Sequence, residues 1–272
     1  MTEPVGLPAS DPRPLVSLRA ISKNFGAVSA LTEVDLEIFS GEIVALVGDN
    51  GAGKSTLIKI LAGVLQPTSG SISFDGAPVT MPNPSAALRL GIATVFQDLA
   101  LCENLDVVAN IFLGRELSPL QLDEVAMEVR AWTLLSELSA RIPSVREPVA
   151  ALSGGQRQTV AIARSLLMNP RVILLDEPTA ALGVEQTAEV LNLIERIRGR
   201  GLGVVIISHN MEVVRAAADR VVVLRLGRNN GVFPRDASNH DLVSAITGAE
   251  NNAVSRRASA GSQPNSLNRG NH

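Results

Sequence analysis

Three short stretches of this 272-residue chain carry side chains whose type and spacing suit phosphate chemistry. The first is Gly48-Asp49-Asn50-Gly51-Ala52-Gly53-Lys54-Ser55, followed by Thr56, and it fits the pattern G-x-x-x-x-G-K-[ST]. It falls between a short apolar run, Ile43 to Val47, and a helical pattern carried by Leu57, Ile58, Ile60 and Leu61 that ends at Gly63. Glycines in such a loop let backbone N–H groups close around phosphate oxygens, and the helix start adds free donors and the positive end of its dipole. Lys54 is then placed to reach the β- and γ-phosphates of a nucleotide, and the Ser55 hydroxyl to ligate Mg²⁺. A plain glycine-rich turn would need neither the lysine nor the serine at that spacing.

The second stretch, Val172-Ile173-Leu174-Leu175-Asp176-Glu177, closes a buried-strand pattern with two carboxylates. This strand is expected to lie beside the phosphate-loop strand, at the edge where open parallel sheets hold ligands. Asp176 suits Mg²⁺ coordination, directly or through water, while Glu177 suits the general base that polarises an attacking water. The third stretch, Leu152-Ser153-Gly154-Gly155-Gln156, opens a helical pattern that runs to about Met168. Ser153 and Gln156 read as a capping box. Capping alone does not require the two glycines, which are expected to leave the helix N-terminus bare enough for an anion.

The elements that must hold these stretches alternate. Val172 to Leu175 precedes a helix carrying Ala188, Leu191, Ile194 and Ile197, and Val204 to Ile207 precedes Met211 to Ala218. An α/β fold with a parallel sheet flanked by helices follows. Leu15 to Phe39 and Ser71 to Phe74 alternate as strands do and predict a flanking antiparallel sheet. Between Leu99 and Val149 the pattern turns helical, with Leu105, Val108, Ala109 and Phe112 on one face and Val125, Val129, Trp132, Leu135 and Leu138 on another.

Composition sets the outer bounds. With 24 basic against 27 acidic residues, a net charge of −3 argues against a nucleic-acid partner, which needs a basic footprint. Cys102, the single cysteine, has no intramolecular disulfide partner, and the first 14 residues lack the apolar core of a secretory signal, so a cytoplasmic protein is expected. No run reaches the roughly 18–20 apolar residues that span a bilayer.

The order of phosphate loop, LSGGQ and Asp-Glu strand resembles the ATP-binding-cassette (ABC) ATPases over roughly Leu15 to Gly248. The resemblance implies a P-loop NTPase core with an antiparallel β-subdomain and a helical insertion at about 99–150, one ATPase domain over 15–248, a flexible N-terminus over 1–14 and a disordered tail over 249–272. Arg256 and Arg257 in that tail read as solvated charges. Phe25, in Lys23-Asn24-Phe25-Gly26, is similar to the family's adenine-stacking aromatic. Gln97, in Val95-Phe96-Gln97, is similar to the glutamine that senses Mg²⁺ and the γ-phosphate, and His209 to the switch histidine. Taken singly, these would be a core aromatic, a polar strand end and a surface histidine.

The resemblance also implies partners. ATP is clamped between two ATPase subunits set head to tail, with Ser153 and Gly155 of each gripping the triphosphate that Lys54 of the other holds; the second subunit is an identical chain or a paired ATPase. The helical insertion resembles the part that receives a coupling helix from a membrane-spanning permease. Glu103 to Gly114, Val79 to Pro84 and Pro178 to Leu182 are similar to monosaccharide importers of the fructose or ribose type, in which selectivity lies in a separate sugar-binding protein. That places the chain peripherally at the cytoplasmic face of the inner membrane. An exporter subunit would share the same ATP chemistry, and an ABC ATPase acting on ribosomes or DNA would bring a second cassette or a long coiled coil, of which the sequence shows neither. Two departures stand out: members of the sugar branch usually carry two ATPase halves in one polypeptide, and Gly183 occupies the place of an aspartate that communicates across the dimer.

Overall fold

The computed structural model describes residues 13–117 and 122–248; the expected tail over 249–272, with Arg256 and Arg257, and the first twelve residues of the expected flexible N-terminus lie outside them. The chain opens with the hairpin β1 (Val16–Phe25) and β2 (Val28–Ile38), then β3 (Ile43–Val47), α1 (Lys54–Leu61), β4 (Ser69–Phe74) and β5 (Ala77–Val79). It continues through α2 (Pro84–Arg89), β6 (Ile92–Val95), α3 (Val107–Phe112), α4 (Glu124–Glu137), α5 (Gly154–Leu166) and β7 (Val172–Asp176). The last described elements are α6 (Val184–Gly199), β8 (Gly203–Ile207), α7 (Met211–Ala217), β9 (Arg220–Arg225), β10 (Arg228–Pro234) and α8 (Asn239–Thr247).

Two sheets result. An antiparallel sheet in the order β2-β1-β4-β5 stands against a six-stranded sheet in the order β10-β9-β3-β8-β7-β6, parallel except for β10 at one edge. Strands β3 and β8 are buried along their whole length, which is why they read as unbroken apolar runs. Alternate residues serve opposite faces. Ile43, Ile173, Leu175, Val204 and Ile206 pack with α3, α4, α5 and α6, while Val44, Leu46, Leu174, Val205 and Ile207 pack with α1 and the antiparallel sheet. Each such side chain taken fully out of water contributes about 1.5–3 kcal/mol.

The strand order corrects one expectation. The Asp-Glu strand β7 does not adjoin the phosphate-loop strand β3, because β8 lies between them: Ile207 pairs with Leu46 on one side and with Asp176 on the other. Parallel strands buried on both faces carry no pattern that ranks them across a sheet, so the sequence leaves this order open. The consequence is functional, since Ser208 and His209, just past β8, are delivered between the loop and the carboxylates.

Helix faces are corrected as well. Helix α4 buries Met127, Ala131, Leu134 and Leu135, with Leu138 following, whereas Val125 and Val129 are 75% and 62% exposed and Trp132 is partly exposed. Both stripes obey the 3.6-residue period, and packing on α3 and α5 selects the one with the small Ala131 at its centre. In α6 the buried stripe is Val190, Leu193, Ile194 and Ile197, so Ala188 and Leu191 lie beside it. In α3, Val107, Val108, Ile111 and Phe112 are buried, and Leu105 and Ala109 only partly. Among the described residues no helix is long and apolar enough to cross a membrane.

Candidate functional site

The phosphate loop leaves β3 and turns directly into α1. Gly48, at φ +149°, is packed so that a Cβ would overlap the Leu224 carbonyl oxygen, and Gly53, at φ +102°, would bring a Cβ within 2.6 Å of Leu31 and 2.8 Å of the Ala30 carbonyl. Both positions therefore require glycine. A Gly48→Ala chain is expected to lose about 3 kcal/mol of stability in urea denaturation, whereas Gly51→Ala, where a Cβ meets open space, carries only the backbone strain of about 1 kcal/mol.

Gly53 caps α1 without a side chain, and the first turn carries no acid. The amide N–H groups of Lys54, Ser55 and Thr56 are thus left for a ligand, and they sit at the positive end of the helix. In six other helices the same need is met by the side chains of Asn83, Asp106, Asp123, Ser153, Asn210 and Ser238, each accepting from its own helix, while α6 also starts at a glycine, Gly183, but carries Glu185 in its first turn.

Lys54 folds back over the loop and donates to the carbonyls of Gly48 (2.6 Å) and Asp49 (3.0 Å). Burial lowers its pKa, against the attraction of Glu177, Asp49 and Asp176. Asp176 shows the converse: burial first and the Glu177 charge second raise its pKa, opposed by Lys54 and Lys59. Among the described residues, neither the Asp176 carboxylate nor the Ser55 hydroxyl has a side-chain hydrogen-bond partner. A divalent cation held by these two groups would oppose the burial and the Glu177 charge that raise the Asp176 pKa. One hydroxyl and one carboxylate leave most of an octahedron to phosphate oxygens and water, as Mg²⁺ prefers. No group of three or more His, Cys, Asp or Glu able to hold a metal occurs among the described residues.

Glu177 adopts φ +52°, an uncommon conformation for a residue with a Cβ, and its N–H donates to the Ile207 carbonyl at 3.0 Å. That turn swings the carboxylate inward, where it is only 15% exposed and lies 2.9 Å from Nδ1 of the 74% exposed His209. A cleft of about 510 Å³ brings together Gly48, Asp49 and Asn50 of the loop with Gln97, Glu177 and His209. Phe25, at the end of β1, is 47% exposed rather than packed in a core, with the Lys23 ammonium 5.2 Å from its ring centre.

Ser153, Gly154, Gly155 and Gln156 do not line that cleft. The capping box forms as read: the Ser153 hydroxyl accepts from the Gln156 N–H, and the Ser153 N–H donates to Gln156 Oε1. The glycines have a packing reason that the sequence reading lacks. A Cβ at Gly154 would come within 2.9 Å of Leu182, and one at the buried Gly155 within 3.1 Å of the Gln186 Cβ. Both glycines thus serve the close approach of α5 to Leu182 and α6, and Ser153 is the exposed position at this helix start.

Five contributors escape the sequence reading, the first being Ser208, which lines the cleft beside His209. Met211 and Ile246 also line the cleft, the latter from α8, with no local motif to mark it. Asn110, fully buried, accepts from the Cys102 N–H at 2.8 Å and donates to the carbonyls of Cys102, Leu105 and Asp106, fixing the segment beyond Gln97 to α3. A lone amide inside the apolar run Val107 to Phe112 was its available signal. Arg164 grips the carbonyls of Leu99 and Ala100 from α5, tying the same segment to the helix that Ser153 caps.

Known proteins resemble this chain in sequence and fold. The ABC transporter family profile matches residues 31–180. The chain is 44% identical over 247 residues to the fructose import ATP-binding protein FrcA of Rhizobium meliloti, covering 87% of this chain and 95% of that protein. It is 47% identical over 215 residues to the xylose/arabinose import ATP-binding protein XylG of Sulfolobus acidocaldarius, covering 79% and 86%. It is 44% identical to the ribose import ATP-binding protein RbsA 1 of Rubrobacter xylanophilus, covering 87% of this chain and 47% of that longer protein. Among solved structures, CbiO1 of Clostridium perfringens, part of an ABC transporter complex, superimposes with a TM-score of 0.73 at 27% identity over 92% of this chain and 99% of that one. A bacterial ABC transporter cassette solved as a dimer gives 0.69 at 27% identity over 82% and 100%.

Proposed function

The chain belongs to the ABC transporter family of ATP-binding proteins, and on that premise we propose that it is the ATP-hydrolysing subunit of an importer for a small sugar, working at the cytoplasmic face of the membrane. The carrying observation is the cleft itself, where a bare helix start, a retracted lysine and a half-buried aspartate with a raised pKa meet a sheltered carboxylate. The sugar rests on the relatives, whose names specify fructose, xylose or arabinose, and ribose import.

MgATP is the substrate. Phe25 offers the adenine a free ring face, the loop amides and Lys54 take the β- and γ-phosphates, and Ser55 and Asp176 would hold Mg²⁺, which neutralises charge on the transferring phosphoryl group. Glu177 orients the attacking water and accepts its proton, His209 holds Glu177 in place, and Gln97 stands at the γ-phosphate end of the cleft. Loss of the Phe25 ring removes one stacking face, so Phe25→Ala is expected to raise the ATP concentration for half-maximal turnover about tenfold with little change in the maximal rate. Steady-state phosphate release against ATP concentration checks it.

Two partners complete the reading. Because Ser153, Gly154, Gly155 and Gln156 lie outside the cleft of their own chain, a second copy is needed to bring them to its triphosphate, and a similar cassette is dimeric. The permease has a groove to occupy: two adjoining cavities of about 230 Å³ each share Thr94, Phe96, Arg115 and Ser165 between β6 and α5. Phe96 and Asp98 line the groove while Gln97 between them lines the cleft, so a helix seated there sits one residue from the nucleotide.

The test is reconstitution in lipid vesicles with the permease and sugar-binding protein of the same transport system. ATP turnover should rise when the binding protein is loaded with its monosaccharide. Turnover indifferent to every loaded sugar-binding protein would remove the sugar-import reading and leave the ATPase intact.

A further inference from the structure

Arg141 is an exposed cation beside the first turn of α5 that nothing in the cleft uses. The side-chain amide of Gln156 joins the two places: its Oε1 accepts from the Ser153 N–H at 2.9 Å and its Nε2 donates to the Arg141 carbonyl at 2.9 Å. Only the width of one amide group, about 2.2 Å, separates those contacts. The Arg141 side chain is 85% exposed, and its one ion pair is a long approach of 3.7 Å to Glu189, itself 41% exposed. Such a pair is readily exchanged for a better one.

Two other arginines nearby are held more closely: Arg146 engages Glu128, Glu124 and Asp106, and Arg196 donates to the Leu138 carbonyl at 2.8 Å. Arg157 on α5 faces Glu103 at 3.8 Å, as loosely as Arg141 faces Glu189, but it does not line the cavity that Arg141 shares with Gln156. The acids that share the cavity with Arg141 are Glu185 and Glu189 of α6, both of which would repel a triphosphate brought to this face. The start of α5 offers only about half a positive charge. In that cavity Arg196 is held by the Leu138 carbonyl, which leaves Arg141 as the cation able to leave its acid and turn toward an incoming triphosphate.

We infer that Arg141 is a binding residue acting across the dimer: its guanidinium contacts the triphosphate held by the other copy, next to Ser153. This rests on the two-copy reading above. Closure then exchanges a loose, solvated pair for a charge-assisted contact in a drier interface, where it is stronger.

The test uses the full chain carrying Glu177→Gln, so that ATP persists, with sedimentation velocity reporting the MgATP concentration that half-dimerises it. Adding Arg141→Ala should raise that concentration about tenfold, Arg141→Lys should recover part of the loss, and Arg141→Glu should exceed it. The affinity of the single copy for MgADP, measured by calorimetry, should stay unchanged in all three, since its own cleft is untouched. Equal half-dimerising concentrations with and without Arg141, or an equal loss in MgADP affinity, would overturn the inference and leave the two-copy reading standing. Absence of any ATP-dependent dimer in the Glu177→Gln chain would remove both.

Discussion

Glu177→Gln is expected to bind MgATP as tightly as the unmodified chain and to hydrolyse it about a hundredfold more slowly, the loss that follows when a general base goes. The substitution is nearly isosteric, and the amide retains an oxygen for the 2.9 Å contact with His209, so the turn at φ +52° has no new reason to shift. What disappears is the ability to take a proton from water. The charge balance moves in a direction that leaves binding intact: Glu177 contributes to the raised pKa of Asp176, so its neutralisation makes Asp176 easier to ionise and the cleft less negative toward a triphosphate. Equilibrium binding of MgATP together with single-turnover phosphate release separates the two effects. Wild-type turnover in this variant would show that the 15% exposed carboxylate is not the base.

The candidate residues are legible in the sequence because each motif encodes a local geometry. A loop between a buried strand and a helix, a cap at Ser153 and two acids after an apolar run all report on neighbours within a few residues. The four-stranded antiparallel sheet and the parallel sheet were legible for the same reason, through alternation and apolar runs. What stayed hidden depends on distant partners. The insertion of β8 between β3 and β7 is a matter of long-range pairing, and it is this insertion that seats His209 against Glu177. Which of two equally periodic stripes α4 buries was settled by its neighbours, and Ile246 reaches the cleft from the far end of the described chain. Gly155 was read for the anion it could admit, and packing against Gln186 supplies a second demand that only the neighbouring helix reveals.

The largest effect on binding is expected from Lys54→Ala, which should weaken MgATP affinity about a hundredfold or more, in line with removal of a charge-assisted hydrogen bond from a partly sheltered site. In the free cleft Lys54 donates to the Gly48 and Asp49 carbonyls, so its ammonium is already poised over the loop and has only to exchange two neutral acceptors for phosphate oxygens. Without it, Asp49, Asp176 and Glu177 lose the cation that attracts them all, and the cleft opposes the triphosphate. Lys54→Arg should not restore affinity, because a planar guanidinium needs a broader seat than the compact ammonium inside the loop. The pH dependence carries the same signature. Burial lowers the Lys54 pKa, so affinity of the unmodified chain should fall as pH rises through that lowered value, before an exposed lysine would lose its proton, and Lys54→Ala should flatten that decline. Calorimetric titration of MgATP across the alkaline range measures both, and an unchanged affinity in Lys54→Ala would mean that the loop holds something other than a triphosphate.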